Sequence, residues 1–85
     1  MALMSAGSVV TKAEFYATLD DILDLPIGTI TGAEMLKDLT WDSLAVVSYI
    51  AACNGLFGVV LSGDKVKATK SVTDLLGLVA AHVTD

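Results

Sequence analysis

The chain has 85 residues and a formal net charge of −5, and its five basic residues are all lysines. An acidic chain without arginine lacks the basic surface that nucleic acid requires, so we expect no nucleic-acid partner. The length allows one domain, and a composition with 54% hydrophobic residues argues against a disordered chain.

Residues 1–10 lack the basic start and the sustained apolar core of a signal peptide. We interpret them as a flexible N-terminus before a domain over residues 11–85. The uncharged stretch 44–61 approaches the length of a membrane span, but polar residues and glycines interrupt it. The sequence therefore predicts no membrane span and a cytoplasmic location.

The first predicted helix runs from about Thr11 to Leu25. Thr11 and Glu14 form a capping-box pattern at its start, and apolar residues then recur at helical spacing. Pro26 is expected to stop the helix. The long connection after it, residues 26–42, carries irregularly spaced apolar residues. This pattern predicts a loop that packs against the core.

The second predicted helix begins at Asp42 and Ser43 and reaches about Asn54 or Gly55. Asp42 is a favourable N-cap, and the asparagine and glycine offer a helix end.

A short third helix is expected near Asp64 to Ala68, after residues 59–61, which we interpret as an extended connection. A fourth helix is expected from about Ser71 to Val83, where apolar residues repeat at spacings of three and four. These elements predict an all-α four-helix bundle with a long first loop and a short third helix.

No enzyme site is predicted from the residue pattern. Ser43 and His82 have no supporting spacing as a nucleophile and base, and no glycine elbow surrounds the serine. Cys53 lies in an apolar segment and is interpreted as a buried small hydrophobic residue, and no Cys/His pair has metal-ligand spacing. The adjacent carboxylates Asp20 and Asp21 are interpreted as part of a solvated helix face.

The tripeptide Asp42-Ser43-Leu44 is a weak signal alone, since a helix cap followed by a core residue explains it. Its context is more specific. Residues 38–44, Asp-Leu-Thr-Trp-Asp-Ser-Leu, resemble the Asp-Leu-Gly-x-Asp-Ser-Leu attachment motif of the acyl carrier protein family.

Three further matches extend this resemblance to about residues 11–83 without a gap after Ser43. Phe57 stands where the family has a phenylalanine after its second helix, and Leu61 matches the apolar residue that follows. Residues 71–75, Ser-Val-Thr-Asp-Leu, resemble the Thr-Val-x-Asp-Leu start of the family's last helix.

The resemblance implies that Ser43 carries 4′-phosphopantetheine, transferred from coenzyme A by a phosphopantetheinyl transferase. The thiol of this arm would hold an acyl group as a thioester for acyl-transferring and condensing enzymes of fatty-acid, polyketide or related biosynthesis. Asp42 would help present the serine to the transferase and its magnesium ion. The resemblance implies a monomeric carrier that is not itself an enzyme and has no resident metal.

The chain departs from the family's pattern along the second helix. Carriers of fatty-acid synthesis usually place acids there, but the corresponding positions here, interpreted as exposed, are Ala45, Ser48, Asn54 and Gly55. We therefore expect partners to recognise a neutral or apolar surface that includes Leu44, Val47 and Ala51.

Trp41 occupies a position that is often small in the family. It is expected either to cover the bundle surface or to contact a partner or the pantetheine arm. Two alternatives to the acyl carrier remain open. One is an unmodified helical interaction module, and the other is a peptidyl carrier, whose usual Gly-Gly-x-Ser-Leu motif this chain lacks.

Overall fold

The computed structural model describes residues 10–84 and is mostly helical. Its elements in chain order are β1 (Val10–Thr11), α1 (Lys12–Ile22), a 3₁₀ turn (Leu36–Asp38), α2 (Ser43–Phe57), α3 (Gly63–Lys67), α4 (Val72–Gly77), a second 3₁₀ turn (Ala80–His82) and β2 (Val83–Thr84). The four α-helices within these residues are compatible with the predicted small bundle. Of the predicted terminus and domain, residues 1–9 and 85 lie outside the described residues.

Each α-helix starts at a side chain that accepts a hydrogen bond from the first turn. Thr11 and Glu14 form the predicted capping box of α1, and Asp42 and Ser71 cap α2 and α4 as expected. Ser62 caps α3, so that helix begins one residue earlier than predicted. These caps satisfy backbone N–H groups that have no partner inside a helix.

The predicted end of α1 at Leu25 is wrong, because the helix ends at Ile22. Pro26 lies beyond this end and is not what stops the helix. Asp24 adopts a left-handed conformation with φ of 58°. The N–H of Leu25 bonds the carbonyl of Asp20, and the N–H of Asp24 bonds the carbonyl of Asp21. This is a Schellman motif, which satisfies the last carbonyls and reverses the chain.

Helix α2 is longer than expected and α4 is shorter. α2 runs through Gly55 to Phe57 and ends where Gly58 adopts a left-handed conformation with φ of 71°. α4 ends at Gly77 rather than Val83, although the apolar spacing continues. Glycine weakens helical structure, and the last described residues form a 3₁₀ turn and a strand instead.

The all-α prediction is corrected by a short parallel ladder between the two described ends. Val10 pairs with Val83, and Thr11 pairs with Thr84. Val10 is only 7% exposed and joins the core, so it belongs to the folded domain rather than to the predicted terminus. The two-residue ladder anchors the start of α1 to the last described residues.

The core forms where α1, α2 and the later short helices meet. α2 packs against both α1 and α3, and Tyr49 lies at its centre with 1% of its surface exposed. The ring of Tyr49 meets Phe15 and Trp41 edge to face, with centroids 6.2 and 5.9 Å apart. Other buried side chains of this core are Leu19, Ile30, Leu36, Val46, Cys53, Val66, Val72, Leu75 and Val79.

The long connection is held to the bundle, as predicted. One of the residues that hold it is Asp20, which was predicted to face solvent. Asp20 is completely buried, which contradicts its interpretation as part of a solvated face. Its carboxylate accepts hydrogen bonds from the N–H groups of Gly28 and Ile30, at 2.8 and 2.9 Å. Hydrogen bonds satisfy a carboxylate that would otherwise be costly to bury.

Backbone contacts fix the second half of the connection beside α4. The N–H of Leu36 bonds the carbonyl of Lys70, and the N–H of Val72 bonds the carbonyl of Glu34. Residues 59–61 belong to no helix or strand, in agreement with the predicted connection. Within residues 10–84, no helix combines the length and apolarity that a membrane crossing requires.

Candidate functional site

Ser43 is the first residue of α2 and is exposed. The preceding Asp42 is extended, and its Oδ1 accepts a hydrogen bond of 2.9 Å from the N–H of Ala45. The Ser43 hydroxyl makes no hydrogen bond to any residue among 10–84. The local sequence therefore leaves a serine hydroxyl open to solvent on a fixed helical turn.

An open depression of about 300 Å³ lies beside this serine. Its lining consists of Trp41, Asp42, Ser43, Val46 and Lys67. Trp41 and Asp42 directly precede α2, Ser43 and Val46 lie in its first turns, and Lys67 is the last residue of α3. The packing of α3 against α2 thus brings a cation to the side of the predicted attachment residue.

Trp41 is half-buried and packs against the core. Its indole meets the buried Tyr49 ring edge to face, which supports the interpretation that it covers the bundle surface. The same side chain also lines the depression beside Ser43. One tryptophan therefore connects the hydrophobic core to the candidate site.

The three predicted partner-binding residues of α2 share an exposed face. Leu44 is 73% exposed and Val47 is 62% exposed, and Ala51 is exposed as well. Their spacing of three and four residues places them along one side of the helix. Ala45 is only 4% exposed, so its assignment to the exposed positions of the helix is wrong.

The structure separates Ser43 from the only histidine. The His82 ring stacks on Phe57 with centroids 5.5 Å apart, and Phe57 ends the helix that Ser43 begins. Because an α-helix rises about 1.5 Å per residue, the two ends lie roughly 20 Å apart. His82 therefore cannot act as a base for Ser43 in this fold.

Cys53 is buried, as expected, and lies outside the candidate site. It is 2% exposed, and burial raises the pKa of its thiol. Burial also raises the pKa of the Tyr49 hydroxyl, which bonds the carbonyl of Leu75 at 2.7 Å. A thiol that stays protonated in an apolar core is a poor nucleophile.

No role at the site was predicted for Val46 or Lys67. Val46 is 6% exposed and belongs to the core, yet it also lines the depression. Lys67 shares a five-residue helix with Lys65, and side chains two positions apart point to different sides of a helix. Only the packing of α3 shows which lysine faces the serine.

Among the described residues, no cluster of three or more His, Cys, Asp or Glu side chains is arranged to hold a metal ion. Comparisons of the chain with protein-family models, with curated proteins and with solved structures found no match.

Proposed function

We propose that this chain is an acyl carrier protein that holds acyl groups as thioesters on a 4′-phosphopantetheine arm at Ser43. The observation that carries the proposal is the exposed Ser43 hydroxyl on the first turn of α2. It lies within residues 38–44, the segment that resembles the family's attachment motif. The helical bundle, with its long first connection and short α3, is compatible with an acyl-carrier type of fold.

The surroundings of Ser43 fit a phosphodiester. The first turn of α2 carries backbone N–H groups at the positive end of the helix dipole, and both features favour an anion. The exposed serine leaves room for a long substituent, and the adjoining depression offers further space. The arm, when attached, supplies the thiol that forms the thioester.

Loading forms one bond at Ser43 and breaks one in coenzyme A. The serine oxygen bonds the phosphorus of the phosphopantetheine, and the bond from that phosphorus to 3′,5′-adenosine diphosphate breaks. The serine proton leaves to a base. His82 lies too far away for that task, so the base belongs to the phosphopantetheinyl transferase. Asp42 orients the serine through its cap to Ala45.

Acyl-transferring and condensing enzymes are proposed to dock on the exposed face of Leu44, Val47 and Ala51, beside Trp41. This face lies next to Ser43 and carries no charge, so contacts there depend on apolar burial. The net charge of −5 lies elsewhere on the chain and can steer encounters with basic enzymes. Such a surface suits polyketide or specialised pathways as well as fatty-acid synthesis.

The test is intact-protein mass spectrometry after incubation with coenzyme A, magnesium and a broad-specificity phosphopantetheinyl transferase. The wild type should gain the mass of one phosphopantetheinyl group, and Ser43→Ala should gain none. Ser48→Ala is the matched control, because it removes another serine hydroxyl from the same helix and should load normally. Circular dichroism should show the same helical content in all three proteins.

The exposed apolar face also supports a second function, an unmodified helical module that binds a partner without carrying an arm. No mass gain, with a transferase that loads a known carrier, would favour this second function. A mass gain that persists in Ser43→Ala would assign the modification to another residue. Once the arm is attached, loading with aminoacyl rather than acyl groups would identify a peptidyl carrier.

A further inference from the structure

The depression beside Ser43 has walls that suit a phosphate joined to an uncharged chain. The lining combines the aromatic Trp41 and the buried Val46 with the cationic residue Lys67. The attachment oxygen itself belongs to a residue of the lining, so an arm on Ser43 starts beside this space. The following inference rests on the proposed function.

The apolar wall is rigid because the core holds it. Trp41 contacts Tyr49 edge to face at 5.9 Å, and Tyr49 is fixed in turn by its hydrogen bond to Leu75. Val46 is almost fully buried. A wall that is already ordered can bind a flexible chain without first losing conformational entropy of its own.

The charges at the rim favour a phosphodiester on the side of Lys67. The Asp42 carboxylate also lines the depression and repels an anion, although its Oδ1 is occupied by the N–H of Ala45. Lys67 is exposed and makes no ion pair within residues 10–84. It is therefore available to form a charge-assisted contact that offsets this repulsion.

We infer that Trp41, Val46 and Lys67 form a resting site for the phosphopantetheine arm on the surface of the carrier. Lys67 contacts the phosphodiester, and Trp41 and Val46 contact the pantetheine chain. The arm must then leave the depression before its thiol can reach the active site of a partner enzyme. Lys67 acts on the position of the arm and takes no part in its attachment.

Trp41 makes this inference directly measurable, because it is the only tryptophan in the chain. Its fluorescence and the NMR resonance of its indole N–H should change between the apo protein and the loaded protein. Lys67→Gln removes the cation, and Lys65→Gln is the matched control on the same helix, outside the lining. Phosphorus NMR of the loaded proteins follows the phosphodiester.

Loading is first checked by intact mass for every variant. We expect Lys67→Gln to load but to lose most of the tryptophan change and to shift the phosphorus resonance, whereas Lys65→Gln should match the wild type. High salt should weaken the wild-type change, because the phosphate contact is screened.

Three failures can be told apart. A loaded wild type whose Trp41 signals equal those of the apo protein has its arm in solvent, and that result overturns the resting site while the carrier function stands. A tryptophan change that Lys67→Gln and Lys65→Gln retain equally overturns the role of Lys67. Absence of loading by an active transferase removes the proposed function, and the resting site with it.

Discussion

The hydroxyl of Tyr49 donates a hydrogen bond of 2.7 Å to the backbone carbonyl of Leu75 in the interior of the protein. This contact joins α2 to α4 across the core. The same tyrosine ring supports Trp41 at the candidate site. The geometry of the depression beside Ser43 therefore depends on a residue that is itself 1% exposed.

Tyr49→Phe should lower the free energy of unfolding by about 1 kcal/mol, because it removes the hydroxyl that bonds the buried carbonyl of Leu75 and leaves that carbonyl only the N–H of Leu78, at 3.2 Å. Urea denaturation followed by circular dichroism measures this change. Tyr16→Phe is the matched control, since Tyr16 is only partly buried and should have a smaller effect. Equal losses in the two variants would contradict the importance of the hydrogen bond to Leu75.

Alkaline pH should destabilise the protein through Tyr49 and Cys53. Burial raises the pKa of both groups above their ordinary values of 10.0 and 9.0. The unfolded chain therefore releases these protons at a lower pH than the folded chain does. Their contribution to stability is fully present below pH 9.0 and is lost progressively as the pH rises above it.

Urea denaturation at a series of pH values tests this dependence. The double variant Tyr49→Phe with Cys53→Ala should be less stable at neutral pH, but its free energy of unfolding should fall less steeply above pH 9.0. An unchanged slope would show that other groups cause the alkaline loss.

Asp20→Ala should release the first part of the long connection. The N–H groups of Gly28 and Ile30 would lose their acceptor, and we expect a loss of about 3 kcal/mol. Asp21→Ala is a close control, because the neighbouring Asp21 is exposed. Thermal or urea unfolding should separate the two variants clearly, and similar curves would argue against the structural role of Asp20.

Leu44→Asp should weaken transfer of acyl groups to or from partner enzymes much more than it changes stability. The side chain is 73% exposed, so a charge there costs the folded state little but disturbs an apolar interface. Val60→Asp is the control, because Val60 is 84% exposed and lies outside α2. The measurement is the rate of acyl transfer from each loaded protein, with circular dichroism to check the fold. Equal rates for both variants would remove Leu44 from the docking surface.

The starts of the helices were predictable from the sequence, because an N-cap is a local interaction. Thr11, Asp42 and Ser71 each bond a backbone N–H three residues ahead, and that spacing is visible in the printed chain. The position of Ser43 on the first turn of α2 follows from the same local rule. The exposure of Leu44 on α2 follows from helical spacing once the buried side of that helix is known.

The features that were missed depend on residues distant in sequence. Asp20 is buried because loop N–H groups eight and ten residues later reach it, and no helical pattern encodes that. α4 is shortened where the chain turns to pair Val83 with Val10. Lys67 reaches the site only through the packing of α3 against α2, so its sequence neighbours carry no signal of its role.

The ladder of Val10 with Val83 has a consequence for the order of folding. Its two partners are separated by nearly the whole described chain, so forming this contact early would close a very large loop at a high entropic cost. Local helices and their contacts form at a lower cost. The ladder is therefore expected to form after the bundle has assembled, and its amide protons should be among the first of the regular elements to exchange with solvent.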